Sequence, residues 1–329
     1  IKYDFISGIG PHWGHQVPAI VEANLKAACQ DIVMQGNLIQ NQDSVELVDL
    51  LVRSSDMDHC FLTSSGAMAN ENALKLCLHH RHPAKRILAF SNCFMGRTLS
   101  LAQITDKPAY RKGLFHNMHV DYVPFYDPKR PKWSTDRSIS ILKQYLARYP
   151  DQYAVMCFEM VQGEAGYYPG TRDFFESLMK VCHSHHVFVM VDEIQTFGRS
   201  SCLFAYQTFD LDEYVDVVTI GKLSQVCATI YRSHLKPTPG LISQTFTSST
   251  SAIASSLVII RALLNNDFLG SKGRINQLSH RFVRGLRELT KEYPHLIQGP
   301  FGFESMIACT ILDGEKDRVV LFLKKLFEA

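Results

Sequence analysis

The sequence predicts an α/β fold in which a mostly parallel sheet is covered by helices on both faces. Three observations point there. Short apolar runs of strand length recur along the chain with helical stretches between them, the pattern of strand–helix–strand units. The run Val187-Phe-Val-Met-Val191 is apolar throughout, as a strand buried on both faces is, and leads straight into Asp192, Glu193 and Gln195. The other runs also end in polar clusters: Ser65-Gly66, residues 92–97, residues 159–164 and Gly221-Lys222. Ligands of open parallel sheets sit beyond the carboxyl ends of the strands, so these clusters are expected along one edge. A carboxylate at Asp192 then either holds a positive charge or binds a metal. With 329 residues the chain has room for one large domain and a smaller one.

Taken in order, residues 8–18 are rich in turn formers and read as irregular. Residues 19–29 show helical spacing, with Ile20, Ala23, Ala27 and Ala28 on one side. Residues 44–52 form a second amphipathic helix, with Ser44 as N-cap and Glu46 in the first turn. A strand at 59–63 runs into small residues and a helix over 64–75. Such a strand-to-helix junction is either an ordinary tight turn or an anion site made of open backbone N–H groups, best suited to phosphate. Further strands are expected at 86–90, 153–158, 187–191 and 215–220, and helices at 139–149 and 172–183. The tail reads as a helix over 268–293, a strand over 306–312 and an amphipathic helix over 318–328.

The composition is ordinary for a soluble globular protein, at 46% hydrophobic and 20% charged. A net charge of +2 gives no electrostatic draw toward nucleic acid or an anionic membrane. No apolar run approaches the roughly 18 residues of a membrane span. The first residues, Ile-Lys-Tyr-Asp-Phe, are neither a signal peptide nor a start methionine, so the native N-terminus is expected upstream. The nine cysteines are odd in number, scattered and never in a C-x-x-C pair, which favours a reducing, cytoplasmic compartment over a disulfide framework or zinc site. Two histidine clusters, at 79–82 and 183–186, read as helix-terminal cations rather than metal ligands.

The acidic strand end also fits a P-loop nucleotidase, but that class needs G-x-x-x-x-G-K-[ST]. Gly221-Lys222 is followed by Leu-Ser and comes after Asp192, so that alternative falls. What remains is a phosphate cradle, an aromatic-plus-Arg loop, a carboxylate with a nearby amide, and a lysine at a strand end. Together they suit pyridoxal phosphate, which needs a carboxylate against its ring nitrogen and a lysine to hold it as a Schiff base.

The same residues carry a family likeness. The stretch from Ser65 to Lys75 resembles the SGTEANEAALK segment of the class III (ornithine/4-aminobutyrate-type) aminotransferases. Phe94-Met-Gly-Arg-Thr98 resembles their F-H-G-R-T, Glu159-Met-Val-Gln-Gly-Glu164 their E-P-I-Q-G-E, and Asp192-Glu-Ile-Gln-Thr196 their D-E-V-Q-T. Thr219-Ile-Gly-Lys222 is similar to the stretch that carries the Schiff-base lysine, and the likeness runs from about Tyr3 to Cys309. Residues 221–228 and 97–108 look most like the lysine 6-aminotransferase branch.

The resemblance implies fold type I, with a small domain built from residues 1–40 and 266–329 around a cofactor domain over 41–265. It implies that Lys222 holds the cofactor and shuttles the proton, and that Asp192 keeps the pyridine nitrogen charged. Gln195 would face the phenolic oxygen, Phe94 would stack on the ring, and Ser65, Gly66 and Ala67 would cradle the phosphate. Thr247 or Ser248 would complete that site from the partner subunit of a homodimer. Arg97 would clamp the donor's α-carboxylate, and Glu164 would neutralise a second carboxylate-binding Arg until 2-oxoglutarate enters. The implied reaction moves the terminal amine of a diamino acid, best L-lysine, to 2-oxoglutarate. An ornithine, acetylornithine or 4-aminobutyrate donor, or a non-catalytic relative, is the alternative.

Several positions depart from the family pattern: Met95 stands for His, Met160 for Pro, residues 196–198 are shortened, and Ser-Ser-Thr-Ser-Ala follows Thr247 where glycines are expected. The family also continues past the position of Ala329 into a segment bearing the second Arg, so Glu164 has no partner visible in the sequence.

Overall fold

The computed structural model describes residues 15–30 and 39–328. The turn-rich residues 8–14 lie outside the described residues, as does the start of the family likeness at Tyr3. Strands β1 (His59–Thr63), β2 (Arg86–Phe90), β3 (His119–Val123), β4 (Tyr153–Phe158), β5 (Phe188–Glu193), β6 (Val217–Ile220) and β7 (Cys227–Tyr231) form one sheet. Their spatial order is β1-β7-β6-β5-β4-β2-β3. β3, β2, β4, β5 and β6 are parallel, while β7 is antiparallel to both β6 and β1. The two reversals cancel. The carboxyl ends of β1, β2, β4, β5 and β6 therefore lie on one edge, and all five polar clusters sit there.

Alternation along each strand feeds two core layers. Met156 and Phe158 of β4 join one layer with Leu88 and Phe90 of β2, while Val155 and Cys157 join the other with Ile87 and Ala89. Eight helices of eight residues or more flank the sheet and extend the chain beyond it: α1 (Pro18–Cys29), α2 (Gln42–Ser55), α3 (Gly66–His80), α4 (Pro131–Arg148), α5 (Arg172–Ser184), α6 (Thr250–Asn265), α7 (Arg274–Glu292) and α8 (Lys316–Glu328). α3 supplies Ala73, Leu74, Leu76 and Cys77 to one layer. On the other, α5 buries Phe174, Phe175, Leu178, Met179 and Cys182, and α2 and α4 add Leu47, Leu51, Leu142 and Leu146. The rings of Phe158 and Phe175 stack at 5.6 Å, and each such side chain contributes roughly 1.5–3 kcal/mol on burial.

Three strands expected from the sequence appear with the same bounds, at 59–63, 86–90 and 153–158. α2 begins earlier than expected. Its cap is Asn41, whose side chain accepts from Ser44 N at 2.9 Å, while Ser44 Oγ donates back to Asn41 O. β3, β7, α6 and a strand β8 (Ile297–Phe303) were not expected. β3 is an edge strand whose apolar pattern is broken by His119 and Asp121, and β7 returns across only a few residues after β6 without a helix to announce it. β8 pairs with β9 (Met306–Ile311) in a small antiparallel sheet of its own, against which α7 packs. α1 packs on α6, where Asn24 Nδ2 donates to Ser255 Oγ at 2.9 Å.

Candidate active site

Asp192 is the fifth residue of β5, directly across from Thr219 of β6. Asn70, one turn into α3, joins them. Its Nδ2 donates to Asp192 Oδ2 at 2.7 Å and to Met95 O at 2.8 Å, and its Oδ1 accepts from Thr219 Oγ1 at 2.7 Å. The threonine hydroxyl fixes which end of the amide is the oxygen, so the NH2 must face Asp192. Ile194 N donates to Asp192 Oδ1 at 2.9 Å. Burial pushes the Asp192 carboxyl up to about 6, against the pull of Asn70, Ile194 and the nearby charge of Lys222.

Ile194 lies where three strand ends meet. A Cβ on Gly66 would come within 3.0 Å of its side chain, and one on Gly221 within 3.1 Å. A Cβ on Gly163 would fall 1.9 Å from Gln195 Oε1, so the loop after β4 approaches Gln195 as only glycine permits. Glu159, at the end of β4, accepts from Phe94 N at 2.9 Å and from Gly163 N at 3.0 Å. This buried carboxylate ties the loop of Phe94 to the loop of Gly163. Burial, then the charge of Asp192, pushes it up to about 8.

Lys222 follows β6 directly and is half-buried, with a backbone φ of +49°. A non-glycine residue in that region carries strain that the surroundings must hold, a frequent mark of functional positions. Ser65 caps α3, accepting from Met68 N at 3.2 Å. The first in-helix bond runs from Ala69 N to Ser65 O, which leaves the N–H groups of Gly66 and Ala67 ahead of the helix ladder. Phe94 and Tyr110 meet edge to face at 6.4 Å, and the exposed Arg97 lies over both rings, 4.7 Å from the Tyr110 centroid. Glu164 pairs with Lys107, Nζ to Oε2 at 3.4 Å.

Other expected residues lie elsewhere. Thr247 is buried, its hydroxyl without a hydrogen-bond partner among the described residues. It lines a separate cavity with Ser44, Cys60, Phe61 and Ile242, so a single subunit does not bring it to the Asp192 cluster. Ser248 beside it is buried as well. The two histidine clusters meet at the opposite end of the sheet. His183 and His234 reach different oxygens of Asp216 through Nε2, at 3.1 and 2.9 Å, and the charge they confer helps hold the Asp216 carboxyl below its usual range.

Glu193, beside Asp192, has a structural task. Its carboxylate accepts from Ala205 N at 2.8 Å, Tyr206 N at 2.9 Å and Thr196 Oγ1 at 3.0 Å, and so pins the loop after β5. Glu193→Ala strands these donors in a buried site and is expected to cost on the order of 3 kcal/mol. Glu193→Gln keeps an acceptor and is expected to lose much less. Urea unfolding of both variants checks this, and an unchanged midpoint for the alanine variant would remove the role.

Sequence reasoning missed Asn70, Thr219 and the clamp made by Glu159. The available signal was Asn70 itself, a poor helix former among Ala and Leu on a helix otherwise destined for the core.

The residues present fit a phosphorylated, positively charged ring. A helix N-terminus offers open N–H groups, a buried carboxylate waits for a positive partner, and an amine stands one strand away. Fold and cluster together define a pyridoxal-phosphate enzyme of fold type I. Residues 2–322 match the family model described as Aminotransferase class-III, and the chain belongs to that family. Acetylornithine aminotransferase of Methanocaldococcus jannaschii is 28% identical over 99% of this chain and 80% of its own length. Among solved structures, ornithine aminotransferase from Toxoplasma gondii superposes with a TM-score of 0.83 at 23% identity, over 98% of this chain and 77% of that one. Lysine aminotransferase from M. tuberculosis gives 0.79 at 20% identity, over 91% and 75%. The family likeness and the α/β, fold-type-I expectation are thereby borne out, and pyridoxal phosphate is the cofactor.

Proposed function

We propose that the protein is an ω-aminotransferase that moves the terminal amine of a diamino acid to 2-oxoglutarate, with L-lysine as the leading donor. The observation that carries the reading is the convergence of Lys222, Asp192 and the α3 N-terminus on one sheet edge, with Arg97 in front of them and no carboxylate paired to it among the described residues.

Bound pyridoxal phosphate supplies an aldehyde that condenses with amines and a ring that draws electrons from the adjoining carbon. Each residue then has a task. Gly66 and Ala67 N–H groups, with the Ser65 turn, hold the phosphate at the positive end of α3. Asp192, locked by Asn70, sets a negative charge against the ring nitrogen and keeps its proton there. Phe94 covers one ring face, and Gln195 donates toward the ring oxygen. Lys222 Nζ holds the cofactor at rest and, once displaced by the donor, carries the proton between substrate carbon and cofactor. Arg97 engages the α-carboxylate as a bidentate fork, which leaves the terminal amine free to react. Any contribution of Thr247 to the phosphate comes across a dimer interface.

Supporting a cytoplasmic, reducing setting, all nine cysteines are free. The separate β8–β9 sheet with α7 supports a smaller C-terminal domain over 266–329. Among the described residues no helix is long and apolar enough to cross a membrane. The full-length likeness to acetylornithine aminotransferases favours a second donor, N-acetylornithine, about equally. Donor profiling separates them: the holoenzyme is incubated with 2-oxoglutarate and lysine, ornithine, N-acetylornithine or 4-aminobutyrate, and glutamate is measured. Fastest turnover with lysine is expected. Turnover with N-acetylornithine alone would move the assignment, and none with any amine would end it.

A further inference from the structure

The site presents two cations of unlike status on the loops after β2. Arg97 meets only neutral partners, the Tyr110 hydroxyl at 3.3 Å and the faces of Phe94 and Tyr110. Lys107 lies on the other side of the same tyrosine, its Nζ 5.6 Å from the ring centroid, and is masked by Glu164. The mask is loose. The pair is long at 3.4 Å, both side chains are about a third exposed (31% and 41%), and Lys107 Nζ makes its other contact to Glu164 O. Glu164 itself sits next to Gly163, whose backbone is held by Glu159 and presses on Gln195. The ammonium is thus placed at the rim of the cofactor site, with Tyr110 as a spacer between it and Arg97.

We propose that Lys107 is a specificity residue for dicarboxylate acceptors. Its ammonium takes the distal carboxylate of a 2-oxo diacid, and Glu164 yields it for that purpose. Arg97 holds the carboxylate next to the reacting carbon in both half-reactions. A donor that brings a neutral or positively charged chain past Tyr110 leaves the Lys107–Glu164 pair closed, and faces the Glu164 carboxylate rather than a bare cation. A diacid meets an ammonium that exchanges one carboxylate for another, so no charge is stranded on either side. One site thereby accepts two substrates of opposite end charge. The inference rests on the aminotransferase reading of the site.

The test uses the holoenzyme and two unreactive probes, glutarate and butyrate, which differ only in the distal carboxylate. Binding is followed by titration calorimetry for the wild type, Lys107→Ala and Glu164→Gln. The wild type is expected to prefer glutarate. Lys107→Ala is expected to weaken glutarate about tenfold while leaving butyrate unchanged, the loss of one charge-assisted contact. Glu164→Gln, which unmasks the ammonium, is expected to tighten glutarate by a few fold. An unchanged glutarate-to-butyrate ratio in Lys107→Ala would overturn the proposal, as would equal weakening of both probes or a shift in melting temperature alone, the signature of a mere loop tie. The two readings fail separately. Borohydride labelling of Lys222 in the same preparation reports on the aminotransferase reading whatever glutarate does.

Discussion

Lys222→Ala is expected to reduce transamination by at least about 10⁴-fold, because one side chain performs two tasks. It holds the cofactor covalently, and it carries the proton that makes the transfer possible. Treatment of the wild-type holoenzyme with borohydride is expected to fix the cofactor on a single tryptic peptide containing Lys222, and on none in the variant. The backbone makes a second reading available. Lys222 is held at φ +49°, a region costly for a side chain, between Gly221 and the turn closed by Gln225 N on Lys222 O. Alanine keeps that strain and removes only the amine, so the folded variant should retain the wild-type melting temperature without cofactor. Phosphate and ring contacts remain, so the variant should still bind pyridoxal phosphate noncovalently. A variant that turns over at the wild-type rate, or a cofactor fixed elsewhere, would remove Lys222 from the centre of the site.

The sheet was legible because its strands are buried on both faces. Runs such as 153–158 are apolar without interruption, and their ends are marked by residues that a core does not tolerate. What the sequence hid is of two kinds. β3 and β7 are short strands at or near an edge, where polar residues such as His119, Asp121 and Thr229 blur the pattern that buried strands show. The second kind is pairing at a distance. Nothing local tells that Asn70 will face Asp192, 122 positions away, or that Glu159 will hold the amide of Phe94, 65 positions away. Likewise Glu164 looked unpartnered in the sequence, and only the folding of the loop after β2 brings Lys107 to it. Thr247 shows the converse: its place in the sequence suggested a phosphate ligand, but its hydroxyl is buried in a different cavity of the same subunit.

Asp192→Asn is expected to separate function from stability. Asparagine is nearly isosteric and can still accept from Asn70 Nδ2 and Ile194 N, so the geometry of the strand end should survive. What is lost is the negative charge. The ring nitrogen then has no counter-charge, its proton is no longer favoured, and turnover is expected to fall about 10³-fold. Without cofactor the same charge is a burden. Burial raises the Asp192 carboxyl from 3.8 to about 6, so the protonated form is the one the fold prefers. A raised carboxyl contributes stability that is fully present below the unfolded value and disappears as pH rises through the folded one. At pH 8 the wild type therefore carries the full penalty of a buried ion, on the order of 2–3 kcal/mol, since each tenfold weakening of the acid is worth about 1.4 kcal/mol. Near pH 4 it carries almost none. Cofactor-free Asp192→Asn should accordingly be more stable than the wild type at pH 8, with the advantage vanishing toward pH 4. Urea unfolding of both proteins across that range, beside turnover with the best donor, measures the two effects together. A variant that keeps full turnover would deny Asp192 its role against the ring nitrogen. A variant with no stability gain at pH 8 would show that Asn70 and Ile194 already neutralise the cost of its burial. The expected opposition, less active yet more stable, follows from placing a carboxylate in the core for a cation that only the cofactor brings.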